Sequence, residues 1–426
     1  MRILATKMHK RHRKEIKIMN KSQKKIPRVS PKAYEYVKQV LDFGFHNAHS
    51  VGMTSRLERE FAKRFGQKYG IAHCNGTATM QSALMAAGVG VGDEVIVPAF
   101  TVFSTSAVVL HCNAVPIIVD VDPDTWTISL DAIRKHITPR TRAIIPVSIC
   151  GLPADLDPIM QLAKEHNLVV IEDNAQCALG YYKGRIAGSI GHFASFSFQS
   201  SKTLTCGDGG ILICSDDKLA LAARKAATAG FKDLTLKPGH NVILEQLRCQ
   251  PDYQRHDSIG WNQRLPEVAC AVVLAELERL DELNEMRTYS AMTFDQIVRQ
   301  CKWIVPQKNP EGYVNAFWNY AVRITRPDIV WTDFRAKFVE LGGDGFYAAY
   351  QPAHLEPIYA NLNKMVDENP GRFPHFAGKL PRYERGICPV WEKIQPRIIQ
   401  LKTNYFDTAE ADRQAEIFAK TTRCFE

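Results

Sequence analysis

The sequence predicts an α/β protein with a large domain, built on a mostly parallel sheet flanked by helices, and a smaller C-terminal α+β domain. Three observations carry that expectation. Short apolar runs alternate with segments of helical periodicity between about residues 69 and 172, the pattern of βα units whose parallel strands need helical crossovers. One of those runs, residues 168–172, leads directly into a carboxylate, Asp173, at the edge where an open parallel sheet binds its ligand. The length of 426 residues exceeds one typical domain and leaves room for a second.

Taken in order, a helix is expected over 31–43, with Tyr36, Val37, Val40 and Leu41 on one face. A second is expected over 54–65, capped by Thr54 or Ser55 ahead of Leu57, Phe61 and Phe65. Residues 69–74 read as a short strand, after which Asn75-Gly76-Thr77-Ala78 leads into a helix over 79–87. Strand 95–97, closed by Pro98, precedes helix 103–110, strand 115–119, helix 130–136, strand 143–147 and helix 156–166. The run Ala194-Ser195-Phe196-Ser197-Phe198 has the alternation and aromatic content of a buried strand, and a glycine turn separates it from strand 211–214. Residues 215–229 read as a helix with Asp216 and Asp217 near its start, and 234–255 as a polar loop or insertion interrupted by Pro238 and Pro251. One long amphipathic helix is expected over 266–286, bridging the domains through Val268, Ala271, Val272, Leu274, Ala275, Leu277 and Leu280. The remainder predicts a strand over 318–324, a helix over 332–341, a strand over 346–350, an irregular Pro-rich segment over 352–374 and a terminal helix over 408–421. The expected organisation is thus a basic extension 1–32, a large domain 33–265, a connecting helix 266–298 and a small domain 299–426.

The composition, 45% hydrophobic and 23% charged, is that of an ordinary globular protein, and no apolar run reaches the roughly 20 residues needed to cross a bilayer. Eleven cysteines stand singly, without C-x-x-C pairs or His/Cys ligand spacing; they read as reduced thiols of a cytoplasmic protein, with no metal site. The net charge of +9 is concentrated at one end. Residues 1–32 hold twelve Lys/Arg against Glu15, so that segment carries +11 and the rest of the chain sums to −2. Such a tail is read as a solvated extension, or one that begins in effect at Met19, as a transit segment without the Ser-rich amphipathic pattern, or as a nucleic-acid or acidic-lipid contact. No function is built on it.

The chemistry-bearing residues lie in three stretches. Alone, each has a plain structural reading: Lys202 as a surface lysine beside a glycine turn, Asp173 as a loop cap, residues 75–78 as a well-capped helix start. Together, Glu172-Asp173-x-Ala175-Gln176, Ser197-Phe198-x-x-x-Lys202 and Gly207-Asp208-Gly209-Gly210 resemble, in order and spacing, the DegT/DnrJ/EryC1/StrS family of PLP-dependent sugar aminotransferases. The family more often has Gly-Glu-Gly-Gly in the third stretch. The resemblance runs from about Tyr34 to the C-terminus and implies an aspartate aminotransferase-like fold of type I with pyridoxal 5'-phosphate as cofactor.

The resemblance implies roles residue by residue. Lys202 is the amine that forms a Schiff base with the cofactor aldehyde and then shuttles the proton, a task for which lysine has both nucleophile and reach. Asp173 keeps the pyridine nitrogen protonated, so that the ring can accept electrons. Gln176 lies beside the ring near its phenolic oxygen. Gly76, Thr77 and Ala78 offer the phosphate a helix start with exposed N–H groups and a hydroxyl, and Ser197 adds another hydroxyl. Gly260-Trp261-Asn262-Gln263-Arg264 resembles the segment that reaches the phosphate from a neighbouring subunit, so Asn262 implies a homodimer. Relatives place an aromatic stacking residue after the Pro98-type position; here the order is Phe100-Thr101-Val102-Phe103, which assigns that contact to Val102 or to Phe103. Tyr347, Tyr350 and Gln351, on a segment resembling the small-domain strand that faces the cofactor, are substrate candidates together with Arg264; Arg185 and Arg264 are the cations available to an acidic substrate.

The implied reaction moves an amino group from glutamate or glutamine to a keto or aldehyde carbon of a nucleotide-linked or acidic sugar. The pattern Leu380-Pro381-x-x-Glu384 with Arg397-Ile398-Ile399-Gln400-Leu401 is closest to members acting on keto-sugars or keto-octulosonates. Relatives that dehydrate sugars replace the lysine with histidine, so retention of Lys202 favours transamination over that alternative. A non-catalytic regulator using the basic tail on nucleic acid is the reading from another class; membrane and nucleic-acid partners are not expected.

Overall fold

The computed structural model describes residues 23–45, 52–239, 243 and 245–426. Residues 1–22, most of the basic extension, lie outside the described residues. In chain order the strands of the larger part are β1 (Tyr69–His73), β2 (Glu94–Pro98), β3 (Val115–Val119), β4 (Thr141–Ile144), β5 (Val169–Asp173), β6 (Tyr181–Tyr182), β7 (Arg185–Ile186), β8 (Phe193–Ser197) and β9 (Gly210–Cys214). Seven of them form one sheet in the order β1-β9-β8-β5-β4-β2-β3. Strand β9 runs against both its neighbours, and the pairs β8–β5, β5–β4, β4–β2 and β2–β3 are parallel. Every residue of β2 and β9 is buried, as expected of strands covered by helices on both faces.

This topology decides where the chemistry sits. β1, β2, β4, β5 and β8 all point their carboxyl ends to the same edge, and the antiparallel β9 begins there. The segments starting at Cys74, Ala99, Ile145, Asn174 and Phe198 therefore converge with Gly210 on one rim of the sheet.

The smaller part carries β10 (Ile304–Pro306), β12 (Asn319–Ile324) and β13 (Ile398–Lys402) in an antiparallel sheet ordered β10-β12-β13, packed under helices Trp331–Glu340 and Thr408–Arg423. Between β10 and β12 the chain returns to the larger part, where β11 (Tyr313–Val314) pairs with β6.

Four expectations are corrected. The single helix over 266–286 is two helices, Glu267–Leu277 and Leu280–Val298, broken at Arg279, whose backbone (φ −112°, ψ 19°) leaves the helical region. The break is held by long-range contacts: the Arg279 guanidinium donates to the carbonyls of Pro27 (2.7 Å) and Arg28 (3.1 Å) and pairs with Glu276. The second helix, Met53–Arg64, is capped by neither Thr54 nor Ser55; its first N–H groups are taken by the Glu267 carboxylate of another helix. Residues 346–350 make no strand: only Ala348 bridges, to Ile399 on the outer edge of β13. The Pro-rich stretch contains the helix Pro357–Glu368, with Pro357 at its first position, where a missing N–H costs nothing. Part of the basic extension is also docked: Ile26 is buried, and its N–H donates to the carbonyl of Phe406 at 2.9 Å. No helix of the described residues is long and apolar enough to cross a membrane.

Candidate active site

Glu172 and Asp173 end β5 side by side, and strand alternation sends them to opposite faces. Glu172 is consumed structurally, accepting from the N–H groups of Gly188 (2.7 Å), Ile190 (2.9 Å) and Gly191 (2.6 Å). Asp173 is buried but only lightly engaged: Oδ1 accepts from the N–H of Ala175 at 3.1 Å and Oδ2 from the Thr105 hydroxyl at 2.9 Å. Burial pushes its pKa up from the ordinary carboxylate range, with these two bonds and the Lys202 charge pulling the other way. Thr105 belongs to the helix Ser104–His111 after β2 and shares a hydroxyl contact of 2.6 Å with Thr101.

Lys202 follows β8 in a tight turn closed by its own N–H on the carbonyl of Gln199 (2.9 Å). Burial lowers the amine to about 8; the buried Arg287 guanidinium adds to that depression, and the Asp173 carboxylate opposes it. The side chain lies with Nζ 4.8 Å from the centre of the Trp318 ring. Asn174, Ala175, Gln176, Ser197 and Lys202 share the lining of one small cleft. Lys202, Asp173, Gln176 and Ser197, read from separate motifs, are thus brought together.

The helix Gly76–Ala86 opens at the same rim, three residues earlier than expected. Asn75 caps it, its Oδ1 accepting from the N–H of Ala78 at 2.8 Å, which leaves the N–H groups of Gly76 and Thr77 at N1 and N2 with no intrahelical acceptor. Two glycines permit this crowding. A Cβ on Gly76 would stand 2.9 Å from Cβ of Ser197, and one on Gly210 would stand 2.7 Å from the Asn75 carbonyl. The last glycine of the Gly207–Gly210 stretch is therefore there to let β9 pass under the helix start. Thr79 and Ser195 join their hydroxyls at 2.5 Å directly behind it.

A model of the DegT/DnrJ/EryC1/StrS aminotransferase family matches residues 28–381. The chain belongs to that family. It is an aminotransferase by that membership. It is 35% identical over 355 residues to the L-glutamine:2-deoxy-scyllo-inosose aminotransferase of Micromonospora echinospora, covering 81% of this chain and 80% of the relative. It is 33% identical over 338 residues to the GDP-perosamine synthase of Caulobacter vibrioides, covering 79% and 86%. The match to the putative L-glutamine:3-amino-2,3-dideoxy-scyllo-inosose aminotransferase of Streptoalloteichus tenebrarius covers 60% of that relative. Among solved structures, an aminotransferase from Psychrobacter cryohalolentis superposes with a TM-score of 0.80 at 25% identity, covering 94% of this chain and 97% of that one.

Within this DegT/DnrJ/EryC1/StrS member the remaining expected residues divide. Gln176 is buried, its Oε1 accepting from the N–H of Cys150 at 2.8 Å, and the half-buried Tyr350 lies near it. Val102 is half-buried one turn before Thr105, whereas Phe103 is 39% exposed and meets Tyr359 edge-on at 6.1 Å. Phe100 is fully buried and stacked on Trp391 at 3.8 Å. Tyr347, at 87% exposure, and Gln351 stand on the outside, on either side of Tyr350. Asn262 is exposed and bridged to Thr228, flanked by the exposed Trp261 and Ile259. Arg264 is half-buried beside His73, just before the Asn75 turn. Arg185 is taken up by Asp157 and the Tyr182 ring. Sequence reasoning missed Thr105, Arg287 and Trp318. Thr105 carried a usable signal, one turn into the helix after the Thr101 stretch; the other two come from distant elements and carried none.

Proposed function

We propose that the chain is a PLP-dependent aminotransferase that takes an amino group from glutamine or glutamate and delivers it to a carbonyl carbon of a cyclic, hydroxyl-rich sugar or cyclitol. The observation that carries this reading is the convergence of a buried, charge-depressed lysine and a buried carboxylate beside an open helix start. The residues fit the cofactor: a lysine near 8 for its aldehyde, a carboxylate for its ring nitrogen, and unspent N–H groups, a Thr hydroxyl and Ser197 for its phosphate. When bound, PLP supplies the electron sink that lets an amine and a carbonyl exchange.

The chain's own residues do the rest. Nζ of Lys202 takes up the proton lost from the donor's carbon and holds it until it is handed on, a role that needs an amine neutral in part near physiological pH. Asp173 holds the ring nitrogen in its protonated form; the Thr101–Thr105 hydroxyl chain fixes its orientation. Gln176 and Tyr350 form a polar wall on the side of the small sheet and orient a hydroxyl-bearing substrate. Val102 provides the apolar contact at the ring face. The exposed Ile259 and Trp261 beside Asn262 suit burial against a second copy, which supports a homodimer with shared sites. Retention of Lys202 favours transamination over dehydration.

The test is the visible spectrum of purified protein and of Lys202→Ala, before and after glutamine or glutamate. The wild type should show the visible Schiff-base band of bound PLP that either donor bleaches, and the variant should lack it (a roughly 10³-fold or greater loss of turnover goes with removal of the group that moves the proton). A wild type that takes up no PLP when supplied with it ends this reading.

A further inference from the structure

Trp318 is the residue at this site that the reaction described above leaves without a task. Its ring lies under Nζ of Lys202 at 4.8 Å, inside the roughly 6 Å over which an aromatic face attracts an ammonium. The ring is not there by loose packing. Its indole N–H donates to the carbonyl of Ser201, the residue just before the lysine, at 3.0 Å. Its own carbonyl accepts from Arg287 at 2.7 Å and from the Thr403 hydroxyl at 2.9 Å, and Arg287 reaches the same Ser201 carbonyl at 3.3 Å. The segment is pressed against the loop after β4: a Cβ on Gly151 (φ +99°) would lie 2.6 Å from the N of Phe317 and 2.9 Å from the N of Trp318. Lysine loop, connecting helix and small sheet are therefore knitted at the Ser201 and Trp318 carbonyls.

The charges around Nζ explain what such a ring would do. The charged groups facing it are the Asp173 carboxylate from β5 and the Arg287 guanidinium from the helix Leu280–Val298. Arg287 is buried and has no carboxylate partner among the described residues, so its charge repels a lysine ammonium without neutralisation. Once Asp173 is committed to a cationic ring nitrogen, the negative face of Trp318 is the attraction that remains. We propose that Trp318 is a positioning residue that receives the Lys202 ammonium whenever the amine is not joined to the cofactor, keeping Nζ at the reacting carbon instead of letting Arg287 drive it away. This rests on the role given to Lys202 above.

The experiment reads the amine itself. Full-length protein freed of cofactor is pulse-labelled with acetic anhydride between pH 6 and 10, and acetylation of Lys202 is followed by mass spectrometry. Trp318→Phe keeps an aromatic face and loses the indole N–H; Trp318→Leu loses both. The Lys202 midpoint should fall by roughly one in the Leu variant, from about 8 toward 7, and by less than half of that in the Phe variant. Equal midpoints in all three proteins, or equal falls in both variants, overturn the proposal, the second by assigning the effect to the lost N–H bond. Site-specific mono-, di- and trifluorotryptophan at 318 preserves shape should the Leu variant fail to fold: the midpoint should fall with each fluorine, and a flat series overturns the proposal. The readout also separates the two claims. Turnover that survives Lys202→Ala defeats the role of the lysine, whereas an unmoved titration with that role intact defeats only the role of Trp318.

Discussion

Asp173 is a carboxylate whose burial works against the fold and for the reaction. Ionised, it has one N–H and one hydroxyl to compensate it, where Glu172 beside it has three backbone N–H groups from a single loop. Asp173→Asn is therefore expected to separate stability from activity. In cofactor-free protein at pH 7 the substitution removes a buried charge, and the hydroxyl chain can reverse, Thr105 accepting from the new amide and donating to Thr101. The sign follows from linkage. A carboxyl whose folded pKa is raised costs stability above that raised value and nothing below its unfolded value of about 3.8. The variant should melt about 1 °C or more higher at pH 7, and that gain should vanish as the pH falls below about 4. Turnover of the PLP-loaded variant should drop on the order of 10²-fold or more, since an amide cannot hold a ring nitrogen cationic. A variant that melts lower and turns over normally would show Asp173 to be only a loop cap. Asp173 and Lys202 were legible because local sequence holds them: a strand ending on a carboxylate, a lysine at a fixed step after a Ser-Phe strand. Trp318 and Arg287 were not, because each reaches the lysine from an element more than eighty residues further along the chain.

At the scale of elements, periodicity located most helices and strands to within a few residues, and what it missed are ends and breaks decided by distant partners. The cap of the helix Met53–Arg64 is the clearest instance. Its Thr and Ser signals are local, but the group that caps it is Glu267, which accepts from the N–H of Met53 at 2.6 Å and from the Thr54 hydroxyl at 2.5 Å. A carboxylate at a helix start gains from both the unpaired N–H groups and the helix dipole. Glu267 in turn opens the helix Glu267–Leu277, so one side chain ties the N-terminus of an outer helix to the start of a buried one. Glu267→Gln keeps one acceptor and loses the charge, which should cost about 1–2 kcal/mol locally. Hydrogen exchange of peptides covering residues 53–56 should accelerate by roughly 5–30-fold, with little change over β5 and β8. Unchanged exchange there would mean that the cap is replaceable by solvent. The Pro-rich segment expected to be irregular over 352–374 misled for a related reason: Pro357 stands at the start of a helix.

At the scale of the whole molecule, the larger and smaller parts are tied from both ends of the chain, and the N-terminal tie was hidden by composition. Counted as charge, residues 23–32 belong to a basic extension; in the fold they are a clasp. The carbonyl of Lys24 accepts from the N–H of Thr408 at 3.0 Å, and the N–H of Ile26 reaches the carbonyl of Phe406 at 2.9 Å, both at the start of the terminal helix of the small part. Four residues on, the N–H of Ser30 donates to Glu276 at 2.7 Å, and Arg279 holds the Pro27 and Arg28 carbonyls where the connecting helices break. The clasp thus spans the hinge between the helix buried in the large core and the helix that leads into the small sheet. Truncation should resolve the two halves of the extension. A chain beginning at residue 23 retains every one of these contacts, and one beginning at residue 31 loses them all together with the burial of Ile26, about 2–3 kcal/mol from the side chain alone. The melting temperature should therefore step down by about 3 °C between the two truncations. KM for the amino acceptor should rise in the shorter chain while PLP uptake is retained, because Asp173, Lys202 and the helix start at Gly76 all belong to the larger part, whereas Tyr350 comes from beyond the connecting helices. A shorter chain with unchanged melting and an unchanged KM would show that the hinge is held by the helices alone.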